Sequence, residues 1–114
     1  MYIKNIELYN FRNYENIKVD FNRNVNLLLG DNAQGKTNLL EGIYLTSIGK
    51  SFRTGRDADL VKFGETSAKI KAEAVKEYFD TAVEIVIKKD AKKSIKKDGV
   101  HIKKTSELLE NILI

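Results

Sequence analysis

The sequence predicts a mixed α/β fold in which mostly antiparallel strands surround one helix. Three observations carry this expectation. Apolar residues stand two apart in the first thirty positions and again after Ser67, and they stand three and four apart between Leu39 and Ser47. Where the first pattern gives way to the second lies Gly30-Asp31-Asn32-Ala33-Gln34-Gly35-Lys36-Thr37, which fits the phosphate-loop pattern GxxxxGK[ST]. The expected fold is therefore a P-loop lobe, a largely antiparallel sheet around a Walker A helix.

The elements follow in order. Ile6 and Leu8, then Ile17, Val19 and Phe21 with Lys18 and Asp20 between them, have the period of half-buried strands. Val25 to Leu29 is nearly all apolar and suits a strand covered on both faces. Asn10 to Tyr14 and Asn22 to Asn24 are turn-forming stretches. A helix of about three turns is expected from near Lys36, with Leu39, Leu40, Ile43, Tyr44 and Ser47 on one face and Glu41 on the other. Gly49 is placed to stop it. Lys50 to Gly64 is irregular, with a short helical turn around Asp57 to Phe63. Ala68, Ile70 and Ala72, then Val83, Ile85 and Ile87, return to period two. Asp98-Gly99 between Ile95 and Ile102 signals a two-residue hairpin that sets those isoleucines opposite one another. Thr105 to Ile114 has helical spacing. The tyrosines and phenylalanines are expected mostly in the core.

Composition narrows the function classes. The 114 residues carry 20 Lys and Arg against 16 Asp and Glu, a net charge of +4. With 42% hydrophobic and 32% charged residues, the chain has the balance of a single folded domain or less. There is no cysteine, which excludes a disulfide framework, thiolate metal ligands and a cysteine nucleophile. The longest stretch without charge, Gly42 to Gly49, is far too short to span a membrane, and the start lacks a secretion signal. The expectation is a soluble cytoplasmic protein with no membrane partner.

The loop's chemistry follows from its residue types. Glycine at 30 and 35 lets the backbone bend and approach a polyanion, and the amides from Asn32 to Thr37 form a nest aimed at the same point as the helix's positive end. Lys36 supplies charge for the outer phosphates, and the Thr37 hydroxyl is positioned to ligate Mg²⁺. ATP and Mg²⁺ are thus the expected ligands, the bland reading being a glycine-rich helix cap. Turnover also needs a carboxylate ending a second buried strand. None follows the loop, since Val83 to Ile87 contains Glu84 and runs on into Lys88-Lys89 before Asp90. No catalytic residue is assigned within this chain.

Ile6 to Tyr14, which contains Asn10-Phe11-Arg12-Asn13, together with the loop, Asn38, the helix start Leu39 to Tyr44 and Gly49-Lys50-Ser51-Phe52-Arg53-Thr54, resembles the amino-terminal part of the RecF family of bacterial DNA replication and repair proteins. The named motifs cover Met1 to Gly64. The resemblance implies an ABC-ATPase-like head, related to those of SMC and Rad50 proteins, with residues 1–114 the amino-terminal part of the head domain. It implies an ATP-dependent homodimer that sandwiches nucleotide, DNA as a partner, RecR and RecO-like proteins, and roles in recombinational repair and the SOS response. It also places Arg12, Asn13 and Asn38 near the nucleotide, and Arg53 at a dimer or DNA contact. Solvated arginines are the alternative at 12 and 53.

Lys88 to Lys104 holds eight lysines and two aspartates, a net +6, so the remainder is 4 − 6 = −2. Lys92, Lys93, Lys96 and Lys97 are candidate DNA contacts through phosphate. Lysines that guard an edge strand are the alternative. His101 is expected on a solvent-facing strand position. Two rival functions stay open: another SMC- or Rad50-like head, and a basic β-sheet nucleic-acid module in which the loop is incidental.

Overall fold

The structure, a computed structural model, describes residues 2–21 and 33–103. The expected strand Val25 to Leu29 and the terminal helix lie outside them. Strand β1 (Tyr2–Phe11) turns at Arg12-Asn13 into β2 (Tyr14–Asp20). Helix α1 (Ala33–Ile48) comes next, then a single 3₁₀ turn at Asp57–Leu60. The chain continues through β3 (Ser67–Lys76), β4 (Phe79–Lys88), β5 (Ala91–Lys97) and the short β6 (Val100–His101). Among the described residues all pairings are antiparallel, in the order β2-β1-β3-β4-β5-β6.

One sheet face is apolar and the other is charged, as period two dictates. Ile6, Leu8 and Phe11 of β1 join Ala68, Ile70, Ala72 and Ala74 of β3 and Val83, Ile85 and Ile87 of β4 in a single core, closed by Leu39, Ile43, Leu45 and Leu60. On the opposite face Lys18, Glu7, Lys71, Glu84 and Lys96 stand side by side across five strands. Signs alternate along that row, so each charge has opposite neighbours.

The helix sits close to β1 because Gly42 has no side chain. A Cβ there would lie 2.8 Å from Leu8 Cδ2 and 3.4 Å from Ile6 Cδ1. At the far end Gly49 adopts φ 91° and its N–H bonds the Leu45 carbonyl at 2.8 Å, the expected helix stop. The Asp98-Gly99 hairpin also forms as expected. Both residues have positive φ, 51° and 83°, and the Ile102 N–H reaches the Ile95 carbonyl at 3.0 Å.

Three expectations need correction. The helix is 16 residues long rather than three turns, because the last residues of the phosphate loop already have helical backbone. Glu41 is not on an outer face: it is 0% exposed. The helix is covered on most sides, by the sheet on one and by flanking turns on the others, and charged partners supplied by those turns meet Glu41 there. Most aromatic rings are outside the core. Phe11 is buried, but Phe63 is 96% and Tyr78 97% exposed, with Phe52 and Phe79 also exposed, because they fall in turns and at strand ends rather than on the apolar face.

Candidate functional site

The site is assembled by three segments that sequence separates: the β1–β2 turn, α1, and the stretch after α1. Of the loop residues, Gly30, Asp31 and Asn32 lie outside the described residues. Ala33, Gln34, Gly35 and Lys36 form the first turn of α1, where backbone N–H groups have no partner within the helix. Thr37 is partly buried and Asn38 almost wholly so.

One turn beyond Thr37, the buried Glu41 carboxylate gathers the other segments. Arg12 approaches from the β1–β2 turn and donates Nε to Oε1 at 2.8 Å and Nη2 to Oε2 at 3.0 Å. Arg53 approaches from beyond the helix and donates Nη2 to Oε1 at 2.6 Å. The Ser51 hydroxyl donates to Oε2 and accepts the Arg53 N–H at 2.9 Å. Burial alone would push the Glu41 carboxyl up. The two guanidiniums and the hydroxyl outweigh burial and hold it at about 2.

Asn38 links this cluster to the turn, accepting from Arg53 Nη2 and donating Nδ2 to Asn13 Oδ1 at 2.6 Å. Backbone strain fixes Arg12. Its φ is 55°, uncommon for a residue with a side chain, and it is held by an N–H bond to the Leu60 carbonyl at 2.9 Å. The Lys62 N–H likewise bonds the Asn10 carbonyl at 2.7 Å. On the other side, Phe52 lies edge-on to Tyr44, ring centroids 5.3 Å apart, with the Arg53 guanidinium carbon 6.0 Å from its centroid. An open groove beside the turn is lined by Arg12, Asn13, Asn38, Lys62, Phe63 and Lys89.

The structure therefore brings Arg12, Asn13, Asn38 and Arg53 together beside the start of α1. It does not bring the four candidate lysines together. Lys97 stands opposite Val83 on the apolar side, and Lys93 pairs with Asp57 at 3.1 Å. Lys96 stands opposite Glu84 on the charged face, and Lys92 is exposed where the β4–β5 register shifts. His101 is exposed, as expected, with Nδ1 3.4 Å from Ser94 Oγ. Glu41 and Ser51 were missed. The signal for Glu41 was two arginines without an assigned counter-ion and a polar pair, Asn38 and Glu41, three apart in the helix.

The described residues fit a Mg²⁺ ion that the Thr37 hydroxyl would hold together with phosphate oxygens. Among the described residues no cluster of three or more His, Cys, Asp or Glu is placed to hold a metal. One threonine hydroxyl with phosphate oxygens and water makes an adequate octahedral shell. No helix among the described residues is long and apolar enough to cross a membrane.

Comparison with known proteins agrees with this fold. A family model described as the RecF/RecN/SMC N terminal domain matches residues 2–112. The DNA replication and repair protein RecF of Clostridium acetobutylicum is 50% identical over 108 residues, 95% of this chain and 30% of that protein. A solved RecF structure, described as the recombination mediator protein RecF-ATPrS in the RecFOR pathway, superposes with a TM-score of 0.88 at 40% identity, covering 98% of this chain and 30% of that one. An SMC ATPase structure, from work on ATP-driven dimerization and DNA-stimulated activation, superposes at 0.79 with 22% identity, covering 96% and 76%, a likeness of fold alone. The chain spans about 30% of the length of the curated RecF relative. It belongs to the RecF/RecN/SMC N-terminal domain family, on the RecF side of it, and its antiparallel sheet with one loop-borne helix is a lobe of that family's ATPase head.

Proposed function

We propose that residues 1–114 are the amino-terminal, ATP-binding part of the head of a RecF-type DNA replication and repair protein. The observation that carries this reading is the phosphate-loop motif running directly into α1, so that Gly35, Lys36 and Thr37 lie in the first turns of a helix whose next turn collects two arginines. Residues Gly30 to Lys36 cradle the phosphates, Thr37 ligates Mg²⁺, and Arg12, Asn13 and Asn38 border the nucleotide. The groove beside Asn13 and Phe63 takes the nucleoside. Similarity to RecF proteins, one of them described as RecF-ATP in the RecFOR pathway, supports ATP as the nucleotide. A homodimer formed across ATP, DNA contact through Arg53 and the β5 lysines, RecR and RecO partners, and service in recombination and the SOS response complete the proposal. Such a protein works in the bacterial cytoplasm, on chromosomal DNA.

Titration with labelled ATP tests the reading. Binding should require Mg²⁺ and weaken at least about tenfold in Lys36→Ala, which removes a charge-assisted contact. Affinity that ignores both the metal and the substitution would leave the loop as a helix cap.

A further inference from the structure

We infer that Glu41 is a positioning residue for phosphate binding: it holds Arg12 and Arg53 side by side as a two-guanidinium clamp beside the first turns of α1. The inference rests on the ATP reading and concerns a residue outside the loop motif. A buried ion cluster is a poor stabiliser as a whole, and replacing all its members together by apolar side chains commonly does as well. What an apolar residue cannot do is fix two like charges next to one another. The Arg12 and Arg53 side chains belong to segments that flank α1 on either side in sequence, and each is only partly exposed. Without an anion between them the two guanidiniums would repel and swing toward solvent.

The contacts specify where the pair sits. Arg12 takes both Glu41 oxygens through Nε and Nη2, which fixes the plane of its guanidinium. Arg53 uses Nη2 alone for Glu41 and Asn38, so its Nη1 end is available to a second anion. Asn38 directly follows Thr37, so Arg53 is held next to the residue assigned to the metal-bound phosphates. Asp59 also acts on Arg12 and is itself paired with Arg56, so three guanidiniums against two carboxylates leave a net +1 at this point. That surplus adds to Lys36 and the helix dipole in attracting a polyanion. Ser51 completes the arrangement by bonding both Glu41 and the Arg53 backbone, which ties the segment after α1 to the carboxylate.

The test is a double-mutant cycle on the full chain, at a temperature where circular dichroism shows every variant folded. Glu41→Gln should weaken MgATP binding about tenfold, and inorganic tripolyphosphate by the same factor, because the clamp acts on phosphate. Combined with Arg12→Gln and Arg53→Gln, the same change should have less than about a twofold further effect, since nothing is left to position. Glu41→Asp, which keeps the charge, should recover part of the affinity. If Glu41→Gln fails to fold, the wild-type protein still decides: its Arg12 and Arg53 Nε–H resonances should both move on adding MgATP. A folded Glu41→Gln protein that binds ATP as tightly as wild type, or arginine resonances that stay in place, overturns the inference while leaving the ATP reading intact. Failure of the wild type to bind MgATP would instead remove the reading beneath it.

Discussion

Arg12 and Glu41 meet through two parallel hydrogen bonds, 2.8 and 3.0 Å long, across 29 residues of sequence. This fork is a charged, two-bond tie between the β1–β2 turn and α1, and Arg53 closes the same carboxylate from the other side. Removing the acid leaves two half-buried cations facing each other. Glu41→Leu should therefore lower unfolding free energy by about 3 kcal/mol, at the low end for a broken buried pair because both arginines keep some solvent. Urea unfolding of the two proteins measures it, and a loss under 1 kcal/mol would mean the arginines simply rotate into water.

Acid should reach this cluster late. The Glu41 carboxyl lies at about 2 in the folded protein against an ordinary 4.5. The unfolded chain therefore takes up the proton first, and the stabilisation is complete above about pH 4.5 and lost as pH falls toward 2. The loss should amount to about 3 kcal/mol over that window. Unfolding curves collected from pH 6 to pH 2 should be flatter for Glu41→Gln than for wild type.

Gly42 is a contact point rather than a hinge. A Cβ at 2.8 Å from Leu8 Cδ2 has to displace a fully buried side chain. Alanine brings better helix propensity in partial compensation, whereas Gly42→Val adds branched bulk with nowhere to go. Valine should cost about 1–3 kcal/mol, read as a lower melting temperature. An unchanged melting temperature would show that α1 can lift from β1.

The β5–β6 turn depends on Asp98 twice. Its backbone takes φ 51°, and its carboxylate accepts the Thr81 hydroxyl at 2.9 Å and the Ala82 N–H at 2.8 Å. Asp98→Ala loses both bonds and keeps the strained backbone, so about 1–2 kcal/mol should disappear. Asp98→Asn keeps an acceptor oxygen and should recover most of it. Equal losses in the two variants would place the effect in charge rather than in the bonds.

The lysines of β5 offer a count. Four phosphate contacts would contribute about 3.6 to the slope of log affinity against log salt. Because Lys96 points to the face opposite Lys93 and Lys97, one DNA backbone engages only part of the set. Changing all four to Gln should reduce the slope by about 2. A reduction near 3.6 would mean that DNA wraps the strand on both sides.

Much of this architecture was legible because its causes are local. Alternation at Ile6 and Leu8, or at Val83, Ile85 and Ile87, needs only the pleat, and Asp98-Gly99 needs only two residues that accept positive φ. Gly49 announces a helix end by itself. The burial of Glu41 was hidden since its partners lie 29 positions upstream and 12 downstream, and no periodicity reports a contact of that kind. The gathering of Arg12, Arg53 and Ser51 around Glu41 is a product of tertiary structure that no motif encodes. The exposure of Phe63 and Tyr78 was hidden for a related reason: an aromatic residue at a turn looks in sequence like one on a strand.

The strand order has a consequence for how the protein is made. From β3 to β6 each strand pairs with the next, so this meander needs only short-range encounters. β1 is different: Leu8 pairs with Ile70, and Arg12, Glu41 and Arg53 all lie between them in sequence. During synthesis β1 leaves the ribosome long before β3 exists and waits, its β3-facing edge unpaired, until β3 emerges. Docking of β1 onto β3 is the high-contact-order step, because Leu8 and Ile70 lie far apart in sequence. A chain stalled before β3 therefore holds β1 without the strand that joins it to the meander.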